Sequence, residues 1–384
     1  MEGAAGPTRI PSLDGLRAAS ILLVLLGHLS GTTHFPRFPY AGVLAIFGVR
    51  VFFVISGFLI TSLLLAEEQR TGTISLRRFY LRRTMRIFPP FYFYVAVVAA
   101  TASFGWIALR RFDLLAALTY TTNYHHERSW YLGHTWSLAV EEQFYLLWPF
   151  LVKYLGSRRA TWVAWGAVIG APLVRIGLLV GAPAFRAGIG ETFPTVSDAI
   201  ATGCLLACYH ARIPTAPRLL AFLRRRLFWL VPAIALLAAA IPSAKVDCLV
   251  GQTITNLGVA LLVERVVRFP GDASGRLLNW RPMVFVGVLS YSLYLWQQPF
   301  LDRQAALAIN AFPLDIVLAF AAALVSCAFI ERPALRSRAW IERQLRVERR
   351  RAIGASAIGP GKIPAVAPEI VKGWGSGRPP TPGP

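Results

Sequence analysis

Residues 11–30 read PSLDGLRAASILLVLLGHLS. At 1.5 Å of rise per residue, an apolar run of about 20 residues crosses the hydrocarbon core of a bilayer, and this one does so while carrying Asp14, Arg17 and His28. Ionisable side chains inside a span are costly and usually face a cavity or a partner, so each marks a functional position by default. Arg17 and His28 lie three helical turns apart, within about 20° of one face and about 16 Å along the axis. Asp14, one turn before Arg17, continues the same stripe and is placed to orient its guanidinium. A phosphate-bearing ligand anchored at Arg17 would reach along that face to His28.

The rest of the chain has the same character. Of its 384 residues, 55% are hydrophobic and 15% charged, against about a quarter charged in a soluble domain. Ten segments are apolar enough to span: 13–33, 42–66, 87–105, 135–155, 161–181, 192–209, 227–243, 248–267, 282–301 and 312–331. The first has neither the basic stretch nor the small-residue cleavage site of a signal peptide and is expected to remain in the mature protein. The connections alternate in charge: 30 of the 40 Lys and Arg residues fall on one side, 7 on the other and 3 within spans. Basic loops face the cytoplasm, so both termini are expected inside. The net charge of +21 is thus a signal of topology, and nucleic acid is not an expected partner. The four cysteines (Cys204, Cys208, Cys248, Cys327) form no disulfide framework and are expected to behave as small buried hydrophobes. A membrane domain is expected over 1–335, followed at 336–384 by a basic tail, helical at first, then Gly/Pro-rich, disordered and cytoplasmic.

The intramembrane charges fall in two layers. His28, Arg50, Glu141, Glu142, Arg175 and Asp198 are expected in the outer half, on five helices. Asp14, Arg17, Arg82, Arg83, Arg86 and Glu331 form the inner layer. Arg175 and Asp198 suit a structural ion pair as well as a site. An imidazole such as His28 can act as base and acid near neutral pH.

Six segments, in order, resemble the acyltransferase-3 family of membrane O-acyltransferases: the opening stretch with Arg17 and His28 separated by ten residues, GVRVFFVISGFLIT (48–61), RRTMRIFPPFY (82–92), TWSLAVEEQFYLLWP (135–149), SYSLYLWQQP (290–299) and IERP (330–333). The resemblance covers about residues 10–335. It implies an all-α integral membrane bundle of about ten helices in a bacterial cytoplasmic membrane, an acyl-coenzyme A donor, acetyl-coenzyme A foremost, and an acceptor hydroxyl on a carbohydrate at the outer face. It also ties Arg17, His28 and the Arg-x-x-Arg pair Arg83 and Arg86 to activity. One departure is visible: the family has His after the Leu-Trp of the penultimate motif, where this chain has Gln297, so a second imidazole is not expected and His28 stands as sole base.

The expected chemistry follows. Arg17, with Asp14 beside it, and Arg83 and Arg86 bind the donor's phosphates through forked guanidinium contacts. His28 takes the acceptor's proton, Glu141 or its neighbour Glu142 orients the ring by a hydrogen bond, and Arg50 stabilises the oxyanion. No metal is expected. A small secondary metabolite such as a macrolide is an alternative acceptor. A transporter or flippase of glycans or organic acids is the rival class, since charged layers suit a translocation path equally, and a non-catalytic scaffold is a third.

Overall fold

The computed structural model describes residues 10–305 and 307–357, with the side chains of 345–357 excepted. The described residues are helical and contain no strand beyond an isolated bridge between Thr33 and Ala311. The principal helices are α1 (Pro11–Leu29), α2 (Ala41–Thr71), α3 (Leu76–Ser103), α4 (Thr135–Gly181), α5 (Phe193–His210), α6 (Leu230–Ala239), α7 (Gln252–Arg268), α8 (Arg281–Trp296), α9 (Leu314–Ser326) and α10 (Arg332–Ala357). Residues up to Arg338 belong to one compact unit; those from Ala339 belong to a second, of which 339–357 is helix. The remainder of the expected tail, 358–384, lies outside the described residues.

Local chemistry sets the ends of these helices. Pro11 opens α1, where the missing N–H costs nothing. α2 stops at Gly72, whose φ of +69° is the left-handed cap that glycine adopts most readily. Ser75 then caps α3 by accepting from the Arg78 N–H. Leu22, Ile46, Leu63, Trp162, Ile234, Leu257 and Phe329 are all exposed. An apolar belt of this kind suits lipid.

The expected ten spans coincide with helix, but six helices among the described residues are long and apolar enough to cross a membrane. Segment 192–209 forms the 18-residue α5, which carries Asp198 and ends on His210 and is not among the six, and the other three differences have local causes. Segments 135–155 and 161–181 lie in α4, broken into two arms at Gly156, whose φ of +78° and ψ of +159° no helix accommodates. Segment 227–243 contracts to the 10-residue α6, preceded by a 3-10 turn. Segment 282–301 leaves the helix at Trp296, where Gln297 and Gln298 turn their amides inward.

Small residues bring the helices into direct backbone contact, as is common where lipid provides no hydrophobic drive for association. A Cβ on Gly57 of α2 would overlap the Ile200 carbonyl of α5, and one on Gly203 of α5 would overlap the Val54 carbonyl of α2. α1 meets α8 similarly, with Gly287 against the Asp14 carbonyl. α1 is thereby held between α2 and α8, which fixes the face carrying Arg17 and His28. The four cysteines are free, and Cys204, Cys248 and Cys327 pack in the interior.

Candidate active site

Arg83 and Arg86 sit one turn apart near the start of α3, so they share a face. The Arg83 guanidinium lies over the Tyr145 ring, 5.1 Å from its centre, and 5.9 Å from that of Phe79. Arg17 of α1 lies where the charges of Arg86, Asp14 and Glu141 act on it. Glu141 of α4 accepts from Ser56 Oγ (3.0 Å) and from the Tyr145 hydroxyl one turn on (3.0 Å). Glu142 is within electrostatic reach of Glu141 and Arg83, and its Oε1 is buried without a hydrogen-bond partner. Three helices, α1, α3 and α4, therefore bring three guanidiniums and two glutamates together, and α2 adds Ser56. Arg17, Ser56, Arg83, Arg86, Glu141 and Glu142 all keep part of their surface accessible while the apolar residues around them are buried, as groups lining a hollow do.

His28 occupies the last turn of α1. Its Nδ1 lies 2.8 Å from Gln297 Oε1. Gln297 Nε2 donates to Gln298 Oε1 (3.3 Å), and Gln298 Nε2 donates to the Trp130 carbonyl (2.9 Å). Trp130 Nε1 closes the circuit on the Gln298 carbonyl (2.7 Å), and its ring meets His28 edge-on with centroids 5.4 Å apart. The relay has a direction. Each amide spends its N–H group on the side away from His28, so Gln297 presents only an acceptor and Nδ1 must carry the proton. Nε2 is then the nitrogen with a free lone pair. Arg303 braces the end of α1 by donating to the carbonyls of Gly27 (2.5 Å) and His28 (3.3 Å), a favourable place for a cation at a helix C-terminus. Burial first, and repulsion by Arg37 second, lower the pKa of the Arg303 guanidinium from its usual value.

Two expectations about this layer are corrected. Glu141 and Glu142 do not orient His28, because both belong to the arginine cluster and Gln297 takes that place. Arg50 does not join His28 either: it is buried and donates to Gln252 Oε1 (2.6 Å) and Asn256 Oδ1 (3.1 Å) of α7. The Arg175 guanidinium of α4 pairs with Asp198 of α5 (2.9 Å) and donates to the carbonyls of Thr195 in α5 and Cys248 in the turn before α7, all of them buried residues. It is a structural clasp.

The structure also supplies an imidazole that the sequence reading missed. His134, 4% exposed at the entrance to α4, stands edge-on to Tyr94 (5.5 Å) and tilted against Tyr294 (5.3 Å). It lies within electrostatic reach of His28, and neither of its ring nitrogens makes a hydrogen bond of normal geometry. The second imidazole within electrostatic reach of His28 thus comes from the entrance to a different helix. Its position immediately before TWSLAVEEQFY was the available signal.

Beside Trp130 opens a cleft of about 1030 Å³, whose lining includes Arg110, Arg111, Trp130, Tyr131, Asp302 and Arg303. Two of its residues, Trp130 and Arg303, are also in contact with His28. Among the described residues no group of three or more His, Cys, Asp or Glu side chains could hold a metal ion.

A family model described as an acyltransferase domain matches residues 10–332, which takes in the arginine cluster, His28 and the cleft. The chain belongs to the acyltransferase-3 family. The O-acetyltransferase OatA of Staphylococcus aureus (strain NCTC 8325) is 30% identical over 87% of the chain and 58% of its own length. The peptidoglycan O-acetyltransferase OatA of Listeria monocytogenes is 27% identical over 84% of the chain and 55% of its own length. The acyltransferase-3 chain described here therefore spans a little over half the length of these relatives. No solved structure matches it.

Proposed function

We propose that the chain is a bacterial membrane O-acyltransferase that moves an acyl group, acetyl foremost, from acyl-coenzyme A in the cytoplasm to a hydroxyl of a carbohydrate on the opposite face, with His28 as general base. The observation that carries this reading is the directed relay His28–Gln297–Gln298–Trp130, which leaves Nε2 as the free base on the α1 face that also bears Arg17. Arg17, Arg83 and Arg86 suit the donor's phosphates, and Glu141 holds Ser56 and Tyr145 around them as a local counter-charge. The donor's arm runs along α1 for about 16 Å to His28. Nε2 takes the proton of the acceptor hydroxyl as its oxygen bonds to the thioester carbonyl carbon. The carbon–sulfur bond breaks, and the leaving thiolate recovers a proton from the imidazolium. Gln297 holds the ring in the required tautomer, the part a carboxylate plays in hydrolytic triads. The ten passes and the cytoplasmic placement of both termini belong to the same proposal.

The test is transfer of labelled acetyl from acetyl-coenzyme A to a soluble glycan by the full chain in nanodiscs. His28→Ala should lower turnover by about 10²–10⁴-fold, the usual range for loss of a general base, while coenzyme A binding and thermal stability stay near wild type. Near-normal turnover in that variant would overturn the reading. A transporter would instead move label across a sealed vesicle without forming an ester. Reporters fused after Arg86 and Arg226 should read cytoplasmic and those within 106–134 external; a uniform reading would remove the proposed topology.

A further inference from the structure

On the side assigned to the outside the chain carries only 7 basic residues, yet Arg110, Arg111, Arg128 and Arg303 all line the cleft beside Trp130. Not all of them are free to bind a ligand. Arg128 is spent on Glu191, to which it makes two hydrogen bonds (2.7 and 2.6 Å), and on the carbonyls of Gly133, Thr122 and His125. Arg303 holds the end of α1 through Nε and one terminal nitrogen. Arg110 and Arg111 are exposed, and the Arg111 guanidinium stacks at 4.7 Å on Phe112, which leaves its edge open. The cleft's acidic side chain, Asp302, is 9% exposed and already accepts from the Tyr131 hydroxyl (3.2 Å) and the Gln304 N–H (2.9 Å). Positive charge is therefore left over on the walls.

These walls are held in place. Asp113, 1% exposed, accepts from the Arg110 N–H (2.8 Å), the Ser129 N–H (3.1 Å) and His125 Nε2 (3.0 Å), joining the segment that carries the two arginines to the segment that carries Trp130 and Tyr131. The third wall, 302–304, is tied to the second by Tyr131 and Asp302. A fixed cleft loses little entropy on binding. At about 1030 Å³ it is at the upper end of ligand sites, which run to about 1,000 Å³, so it suits an oligomer better than a single sugar.

We propose that this cleft is the acceptor subsite and that it selects a carboxylate-bearing saccharide. Arg110 and Arg111 hold the carboxylate, and Trp130 offers an apolar ring face for a sugar next to the ring of His28. A forked guanidinium fits a carboxylate better than any neutral group, and an aromatic with a polar edge suits a pyranose. The assignment rests on the acyltransferase reading for its catalytic consequence, and on the cleft alone for binding.

The test uses the full chain in neutral phosphatidylcholine nanodiscs, with a N-acetylmuramic-acid-containing disaccharide and its methyl ester as paired probes that share every hydroxyl. Saturation-transfer NMR reads binding without turnover. The Arg110→Gln/Arg111→Gln double variant should raise the KM for the acid about tenfold or more, leave the KM for the ester and for acetyl-coenzyme A unchanged, and weaken the NMR signal of the acid alone. Equal effects on acid and ester, or no effect on either, would overturn the assignment. So would a variant that loses only co-purified phosphatidylglycerol, since the arginines would then hold a lipid headgroup. If no ester forms with any acceptor but the acid still binds in an arginine-dependent way, the subsite stands and the acyltransferase reading fails.

Discussion

Replacing Gln297 by Leu removes the acceptor for His28 Nδ1–H at nearly constant volume. Gln297 is fully buried, so no solvent takes over the contact. A hydrogen bond of this kind contributes about 0.5–1.5 kcal/mol net, and leaving a buried donor unmade costs a further 1–3 kcal/mol or so. The loss falls on the transition state, because the bond strengthens as the ring gains a proton. At about 1.4 kcal/mol per tenfold in rate, kcat should fall by between about tenfold and about a thousandfold. The KM for acetyl-coenzyme A should not move, since the arginine cluster is untouched. Gln297→Glu keeps an acceptor facing Nδ1 and should retain more activity than the Leu variant. The assay is initial-rate acetyl transfer in nanodiscs over a donor titration, with thermal unfolding followed in parallel. A Leu variant turning over within threefold of wild type would refute the relay. Equal losses in Leu and Glu variants, accompanied by a lower melting temperature in both, would show that Gln297 only packs.

The arginine cluster predicts a different kinetic signature: Arg83→Ala and Arg86→Ala should raise the donor KM more than they lower kcat, because phosphate anchoring is largely uniform binding, and Lys should restore only part of it; unchanged coenzyme A affinity, read by calorimetry, would exclude the assignment. His134→Phe should hold or raise the melting temperature, since two ring nitrogens without a hydrogen bond of normal geometry give way to an apolar ring between Tyr94 and Tyr294, yet slow transfer through loss of an imidazole within electrostatic reach of His28; full activity would make His134 a packing residue. Asp198→Ala strands the buried Arg175 charge and should destabilise the chain by about 3–5 kcal/mol, whereas Arg175→Met with Asp198→Leu should recover most of that; thermal unfolding of the three proteins decides.

The helices were legible because membrane spans are announced by composition, and the arginine cluster because Arg17, Arg83 and Arg86 are charges in places where charge is costly. What lay beyond the sequence was lateral. Depth along a helix follows from counting residues, so His28, Arg50 and Glu141 fell at one expected level. Which neighbour each side chain turns toward depends on how helices rotate about their axes, and that is set by crossings such as Gly57 on Ile200, Gly203 on Val54 and Gly287 on Asp14. Arg50 therefore went to α7 and Glu141 to Tyr145. Gln297 was visible as a departure from the family motif and was read as a loss, although an amide accepts a hydrogen bond from Nδ1–H as an imidazole nitrogen would. His134 was overlooked because it lies just outside the apolar run and because histidine at a helix entrance is unremarkable until its neighbours are known.

The two ends of the site are made of different material. The proposed donor end is helix throughout, its groups locked into α1–α4, whereas the cleft beside Trp130 is walled by connecting segments gathered around the Asp113 carboxylate. Asp113 works as a clamp whose contacts are two backbone N–H groups and one imidazole, so most of what it holds is independent of the side chains exposed on the walls. Residues 108–111 can therefore be exchanged, provided that Asp113, His125 and the backbone turn at Ser129 are kept, and the exchange leaves the relay through Trp130 and the cluster of Arg17, Arg83 and Arg86 unaltered. In such a chain, what is acylated and how acylation is done are separately heritable.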